Sequence, residues 1–347
     1  MAERLPPAML ARLRELLAER MGIHFSAERV SDLERAMESA AREAGYSSTE
    51  ACLQELLSSP WKRTQIELLA RHLSVGETYF FRDKKIFETL ERHVLPELIR
   101  SRDQKRLRIW SAGCATGEEP YSVAILLRRS LPDLADWHVT ILATDINPSF
   151  LEKARRGVYS EWSFRDAPRW LKEHYFRRRR EGLYEIGPEV REMVVFSYLN
   201  LAEDQYPSLL TNTNAMDLVL CRNVLMYFAA EKARSVLDRL HRALVDGGWL
   251  ITSPSEVSDT LVRRFRRVSF DDATLYKKDA GPAETRLETP EVAGLVRSGI
   301  APEAAAGAPP SFTVGTESEI SFSALASGSA FEARPAVRSD RGAADSP

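Results

Sequence analysis

Cysteine is scarce in this chain. The three residues Cys52, Cys114 and Cys221 stand far apart and are odd in number, so neither a disulfide framework nor a pair with zinc-ligand spacing can be read from them. No window holds eighteen uncharged apolar residues, which leaves no candidate for a membrane-spanning helix, and the stretch Met1 to Pro7 lacks the apolar run of a signal peptide. A cytoplasmic protein without membrane insertion is expected. Net charge is nearly absent as well: 48 lysines and arginines face 50 acidic residues. That balance gives no global pull toward nucleic acid, so no nucleic-acid partner is expected, and any charged partner must be met by a local patch. The histidines His24, His72, His93, His138, His174 and His241 are scattered, with no Ser-His-Asp or Cys-His set, and no metal is expected. Beyond Lys278, lysine, tryptophan and tyrosine vanish while Ala, Pro, Gly and Ser dominate, so residues 280 to 347 read as a disordered tail.

What remains is 44% apolar and 28% charged, enough for one large core and a smaller one. Residues 1 to 75 predict helices only, because apolar positions recur at helical spacing: Leu10, Leu13, Leu17 and Met21, then Val30, Leu33, Met37 and Ala40. Ser26 is positioned to cap the second helix, Gly45 to end it, and Ser47 with Glu50 has capping-box spacing for a third; a fourth runs near Trp61 to Leu73. From about Leu107 the pattern becomes α/β. Strands are predicted at Leu107 to Ser111, Val139 to Thr144, Val194 to Leu199, Met216 to Cys221 and Trp249 to Ser253, with helices between them, the signature of a parallel sheet. Ala233, Val236, Leu237, Leu240 and Leu244 form a helical stripe stopped by Gly247-Gly248, and Phe265 to Phe270 with Thr274 to Lys277 suggests a closing antiparallel pair. Residues 157 to 193 break the rhythm with dispersed aromatics and arginines, as an inserted subdomain would.

The chemistry concentrates where strands end. Leu107 to Ser122 reads as a strand entering a small-residue loop and then a helix, with Gly113 and Gly117 permitting a tight turn and a close backbone approach to a nucleotide-like ligand. The loop lacks the Gly-Lys-Ser/Thr ending of a phosphate loop, and Glu118 and Glu119 would repel an anion, so a neutral or cationic adenosyl ligand fits better. Asp145, closing the next strand, is placed to accept hydrogen bonds from ribose hydroxyls, while Asn147 before Pro148 suits a helix cap. Asn200-Leu201 and the run Arg222 to Phe228 follow two further strands. The segment Ser74 to Asp83 joins the helices to the sheet, with Asp83 a candidate cap for the next helix and Arg82 after three aromatics.

The combination of Glu77 to Arg82, Trp110 to Ser122, Ala143 to Ile146, Asn200-Leu201 and Cys221 to Phe228, in this order over residues 5 to 278, resembles the chemotaxis receptor methyltransferase (CheR) family. The resemblance implies a Rossmann-like S-adenosylmethionine methyltransferase sheet over residues 76–279, an all-helical N-terminal domain over 1–75, and a small inserted antiparallel β-subdomain at about 157–193. It implies transfer of a methyl group from S-adenosylmethionine to receptor glutamates, giving methyl esters and S-adenosylhomocysteine. Thr78, Arg82, Glu119, Asp145, Asn200, Leu201, Arg222 and Asn223 match cofactor-contacting positions, with Glu118 in support and Gly113 in the glycine loop. Gly76 stands where many relatives carry an asparagine, so that polar contact is either missing or made by the backbone. Arg82 and Tyr227 match positions bordering the transferred methyl and the incoming carboxylate.

The implied partner is the cytoplasmic domain of a methyl-accepting receptor, met by a monomeric enzyme. Two arginine clusters, Arg177 to Arg180 and Arg263, Arg264, Arg266 and Arg267, are either solvated faces or receptor contacts. Arg177 to Met193 is shorter than the peptide-gripping loop of some relatives and lacks their Gly-x-Gly element, so a tether-independent member is expected. The helical region, with 10 basic and 11 acidic residues, offers no excess of positive charge for docking. Two other functions stay open at this point: a methyltransferase of the same fold with a different acceptor, and a non-catalytic S-adenosylmethionine-binding or scaffold module.

Overall fold

A computed structural model describes residues 5–256, 262–271 and 273–279; the tail expectation at 280–347 lies outside them. Four helices come first: α1 (Pro7–Arg20), α2 (Val30–Glu43), α3 (Thr49–Ser58) and α4 (Arg63–Leu73). Their apolar stripes meet in one core in which Leu13, Leu17, Leu33, Met37, Leu53 and Leu69 are fully buried. Each such side chain contributes about 1.5–3 kcal/mol relative to exposure, which is what holds short helices together. Gly45 follows α2 with a φ of +78°, as a helix-ending glycine should. The cap of α3 falls one residue later than expected: Ser48, not Ser47, is extended and its Oγ accepts from the Ala51 N–H at 3.1 Å. Ser26 likewise precedes only a short turn, Ala27–Arg29, and gives α2 no side-chain cap.

A bridging pair, α5 (Lys84–Thr89) and α6 (Leu95–Arg100), is joined by a wide helical turn at Leu90–Val94 and leads into the sheet region. There β1 (Arg106–Ala112), α7 (Glu118–Ser130), β2 (His138–Asp145) and α8 (Pro148–Arg156) alternate. The insertion follows, with β3 (Val158–Tyr159), α9 (Arg169–Tyr175), β4 (Phe176–Arg178), β5 (Tyr184–Ile186) and α10 (Pro188–Arg191). The chain then completes β6 (Val194–Tyr198), β7 (Met216–Leu220), α11 (Ala230–Ala243), β8 (Leu244–Ile251), β9 (Arg266–Ser269) and β10 (Thr274–Lys277).

The main sheet has seven strands in the order β6-β2-β1-β7-β8-β10-β9. The first five are parallel and the last two antiparallel, so the expected Rossmann-like sheet and its closing pair both form. One expectation fails locally. Leu244 opens β8 instead of ending α11, and Gly247 (φ +76°) with Gly248 lies inside that strand. The cause is register: Met216 pairs with Leu244 and the ladder slips before Leu218, so the glycines absorb a bulge. The insertion forms its own antiparallel sheet, β3-β5-β4. Its aromatics close on the segment before α5, with the Phe80 ring 4.9 to 5.0 Å from those of Tyr159, Phe164 and Phe176. The aromatics Phe80 and Phe81 therefore anchor the insertion to the sheet, and the residue after them is aimed elsewhere.

Candidate active site

The carboxyl ends of β1, β2 and β7 converge on one cavity, which also takes walls from the helical region. At the end of β1 the chain turns at Gly113, φ +82°, whose N–H donates to the Thr144 carbonyl at 2.8 Å. A Cβ here would sit 2.4 Å from a Val224 methyl, so the cradle is open to a ligand only because the side chain is missing. Gly117, φ +95°, is similarly required where α8 crosses, at 2.8 Å from Ala154. Asp145 closes β2. Its Oδ2 accepts from the Ala115 N–H at 2.9 Å and its Oδ1 from the Asn147 N–H at 2.8 Å, which ties the glycine loop to the second strand. Burial pushes the Asp145 carboxyl up to about 6, against the opposing pull of these backbone donors. Asn147 caps α8 as expected, accepting from Ser149 and Phe150.

The two glutamates opening α7 separate in role. Glu118 is buried outside the cavity, accepting from Thr116 and Ser163, and burial raises its pKa. Glu119 faces the cavity, accepting from Ser111 Oγ at 2.7 Å and from Arg222 at 3.0 Å. Arg222 is a hub: its side chain is 1% exposed and donates to Glu119, to the Arg82 carbonyl at 2.8 Å and to Asp83 at 2.5 Å. Asp83 thus does not cap α5. Its backbone is left-handed (φ +60°) and its carboxylate turns back to the buried cation. Phe81 is left-handed too, at φ +57°, and its N–H is held by Ser122 Oγ. Two unusual residues flanking Arg82 set where that side chain points. The buried Arg222 Nε has no acceptor among the described residues.

The remaining wall comes from the helices. Gly22 packs under Phe228, the His24 N–H donates to the Tyr227 carbonyl at 2.8 Å, and Asn200 Nδ2 donates to the Arg20 carbonyl at 2.7 Å. Met21, Ile23 and Leu73 to Val75 supply lining from that side. At the mouth, Arg82 donates to the Glu77 carbonyl, and Arg165 of the insertion lies 3.8 Å from the Tyr79 ring centroid. Burial, then the nearby Asp166 and Asp83 carboxylates, pushes the Tyr79 hydroxyl up, so it stays a neutral phenol.

The cavity holds about 1010 Å³, its open mouth included. It brings together Thr78, Arg82, Gly113, Glu119, Asp145, Asn200, Leu201, Arg222, Asn223 and Tyr227, from segments spread over 150 residues of sequence. Gly76 does not line it: the wall passes from Val75 to Glu77, and a Cβ at Gly76 would meet the Phe150 ring at 2.6 Å. A side chain there would require that ring to shift. Glu256 was missed from the sequence. Its buried carboxylate accepts from the N–H groups of Asn223 (2.7 Å), Ser253 (2.9 Å) and Met226 (3.4 Å), fixing the loop in which Asn223 adopts φ +56°. The only hint was its place just beyond the last parallel strand.

Three acids belong to this wall: Glu119 is paired with Arg222, Glu77 with Arg165 of the insertion, and Asp145 is held by backbone N–H groups. Such a site attracts a ligand with cationic and hydroxyl groups, not a phosphate. Residues 76–274 match the family model described as CheR methyltransferase, SAM binding domain. The chain is 30% identical over 274 residues to a chemotaxis protein methyltransferase of Borreliella burgdorferi, covering 78% of this chain and 94% of that protein. It is 37% identical over 217 residues to chemotaxis protein methyltransferase 1 of Pseudomonas aeruginosa, covering 61% and 77%. Over 217 residues it is 34% identical to chemotaxis protein methyltransferase 2 of Vibrio cholerae, covering 62% and 73%.

Proposed function

The chain belongs to the CheR methyltransferase family, and from that premise we propose that its cavity seats S-adenosylmethionine beside a receptor glutamate and promotes esterification of that glutamate. The observation that carries this reading is the cavity itself, where a Cβ-free cradle at Gly113, an acid at the end of β2 and an arginine at the mouth share one space. The residues fit the donor. Asp145 would take the ribose hydroxyls and Glu119 would face its positive charge. Thr78, Asn200, Leu201, Arg222 and Asn223 would complete the enclosure.

The bound sulfonium supplies a methyl group that a carboxylate oxygen can take in line, releasing neutral S-adenosylhomocysteine. A glutamate is already ionised at neutral pH, so no general base is needed. The work left to this chain is alignment and exclusion of water. Arg82 would hold the incoming carboxylate by charge-assisted hydrogen bonds while Tyr227 orients it. The helical region and the insertion would border the receptor. We place the enzyme in the cytoplasm, acting as a monomer and without a receptor tether; that no helix among the described residues can cross a membrane is consistent with this.

The test is incubation of the purified protein with methyl-labelled S-adenosylmethionine and receptor cytoplasmic fragments, followed by assay of alkali-released methanol. Arg82→Ala should cut turnover at saturating donor by about 100-fold, the scale of losing a charged contact made in the transition state. Absence of S-adenosylhomocysteine binding by calorimetry would refute the reading, and wild-type turnover by Arg82→Ala would remove the carboxylate-holding role.

A further inference from the structure

Against the cavity-wall residues Tyr79 and Glu77, outside the lining itself, lies a second arginine that the methyl transfer does not use. Arg165 belongs to the insertion, immediately after the turn Glu161–Phe164. Its guanidinium lies 3.8 Å from the Tyr79 ring centroid and 4.4 Å from that of Trp162, and it donates to the Trp162 carbonyl at 2.8 Å. The group is therefore held in place before any partner arrives, which lowers the ordering cost of using it for recognition. The Arg82 guanidinium lies 5.7 Å from the same Tyr79 centroid. Two cations thus share one aromatic ring, no farther apart than the sum of those two distances, a reach that includes the spacing of side chains three or four residues apart in a helix.

The partner that Arg165 holds is internal. Its Nη2 pairs at 2.5 Å with the carboxylate of Glu77, a residue of the cavity wall whose side chain is 53% exposed. The arginine side chain is 20% exposed and the acid 53%, so it is the Glu77 carboxylate that can swing out to water when another carboxylate arrives. Trp162 beside it is 63% exposed and Val75 in the wall 50%, so the ground around the pair is open and partly apolar.

We propose that Arg165, stacked on Tyr79 and Trp162, is a second carboxylate subsite, where an acidic side chain neighbouring the methylated glutamate displaces Glu77. The substrate class it selects is an acidic peptide segment with two carboxylates within a turn of each other, one presented to Arg82 and one to Arg165. Arg165 determines specificity and takes no part in the bond changes. This rests on the proposed methyl-transfer reading and deepens it.

The experiment uses the full chain, labelled S-adenosylmethionine and a receptor cytoplasmic fragment whose methylated glutamate has been located by mass spectrometry. Acids flanking that glutamate are then changed singly to glutamine. With the wild-type protein, loss of one particular neighbouring acid should raise KM about tenfold with kcat little changed, the effect of losing one charged contact. Arg165→Ala should raise KM for the parent fragment to the same level and abolish the discrimination, Arg165→Lys should recover part of it, and Glu77→Gln should lower KM. S-adenosylhomocysteine affinity should stay at the wild-type value in Arg165→Ala and Arg165→Lys, which separates lost recognition from misfolding. Discrimination that survives Arg165→Ala, or wild-type indifference to every neighbouring acid, overturns the proposal. If the wild type binds S-adenosylhomocysteine but methylates no acidic fragment, the receptor-methylation reading itself fails and the subsite falls with it.

Discussion

Asp145→Asn should flatten a pH dependence of S-adenosylhomocysteine binding that the wild-type protein shows on the acid side of neutrality. Burial raises the Asp145 carboxyl to about 6, while the Ala115 and Asn147 N–H groups favour its ionised form. If only the carboxylate accepts both ribose hydroxyls, affinity scales with the ionised fraction. That fraction is roughly nine-tenths at pH 7 and roughly one-tenth at pH 5, so binding should weaken about eightfold to tenfold over that interval. The sign for folding runs the other way. A carboxyl whose pKa is raised in the folded state favours that state most below its unfolded value of 3.8, and this contribution is lost as pH rises through about 6. Asp145 therefore does not promote acid unfolding, and the weakening of binding at pH 5 is not a stability effect of this group. Isothermal titration calorimetry across pH 5 to 8 reads the affinity directly, since the amino-acid end of the ligand does not titrate in that range. Constant wild-type affinity, or the same slope in Asp145→Asn, would refute the reasoning.

Three further outcomes are expected. Arg222→Ala should cost about 3 kcal/mol of stability in chemical denaturation, because Glu119 is left nearly buried without its cation, while the partly exposed Asp83 adds less; a loss below about 1 kcal/mol would show that the hub is not electrostatic. Gly113→Ala should weaken S-adenosylhomocysteine binding by tenfold or more, since its φ of +82° and the Val224 methyl both oppose a Cβ, at a strain of about 1–3 kcal/mol; unchanged calorimetric affinity would remove the cradle. Glu256→Ala should lower both thermal stability and donor affinity, because buried N–H groups of Asn223 and Ser253 lose their acceptor at about 1–3 kcal/mol each. Glu256→Gln, which retains one acceptor oxygen, should fall between; equality with alanine would contradict the assignment.

Much of the fold was legible in the sequence because its determinants are local. The helical stripe of Leu33, Met37 and Ala40, the alternation of strand and helix from Leu107 onward, and the glycine loop after β1 each follow from spacing within one element. Caps and ends were less so. Ser48 in place of Ser47, and β8 beginning at Leu244, were decided by which neighbouring strand or turn competed for the backbone. The candidate site was legible where motif residues sit at strand tips, as with Asp145, Asn200 and Asn223, since the topology of a parallel sheet brings those tips together.

By itself, then, the sequence determined the element types, their order and which residues could meet a ligand, since periodicity and turn chemistry act over a few residues. Only the tertiary structure decided the partners. The turning of Asp83 from helix cap to counterion of Arg222, 139 residues away, was not readable from sequence. Nor were the support of Asn223 by Glu256, the packing of the Phe150 ring over Gly76, or the placing of Arg165 on Tyr79. Those contacts depend on how distant segments pack, and a buried charge or an unpaired N–H takes whichever partner the packing brings within reach.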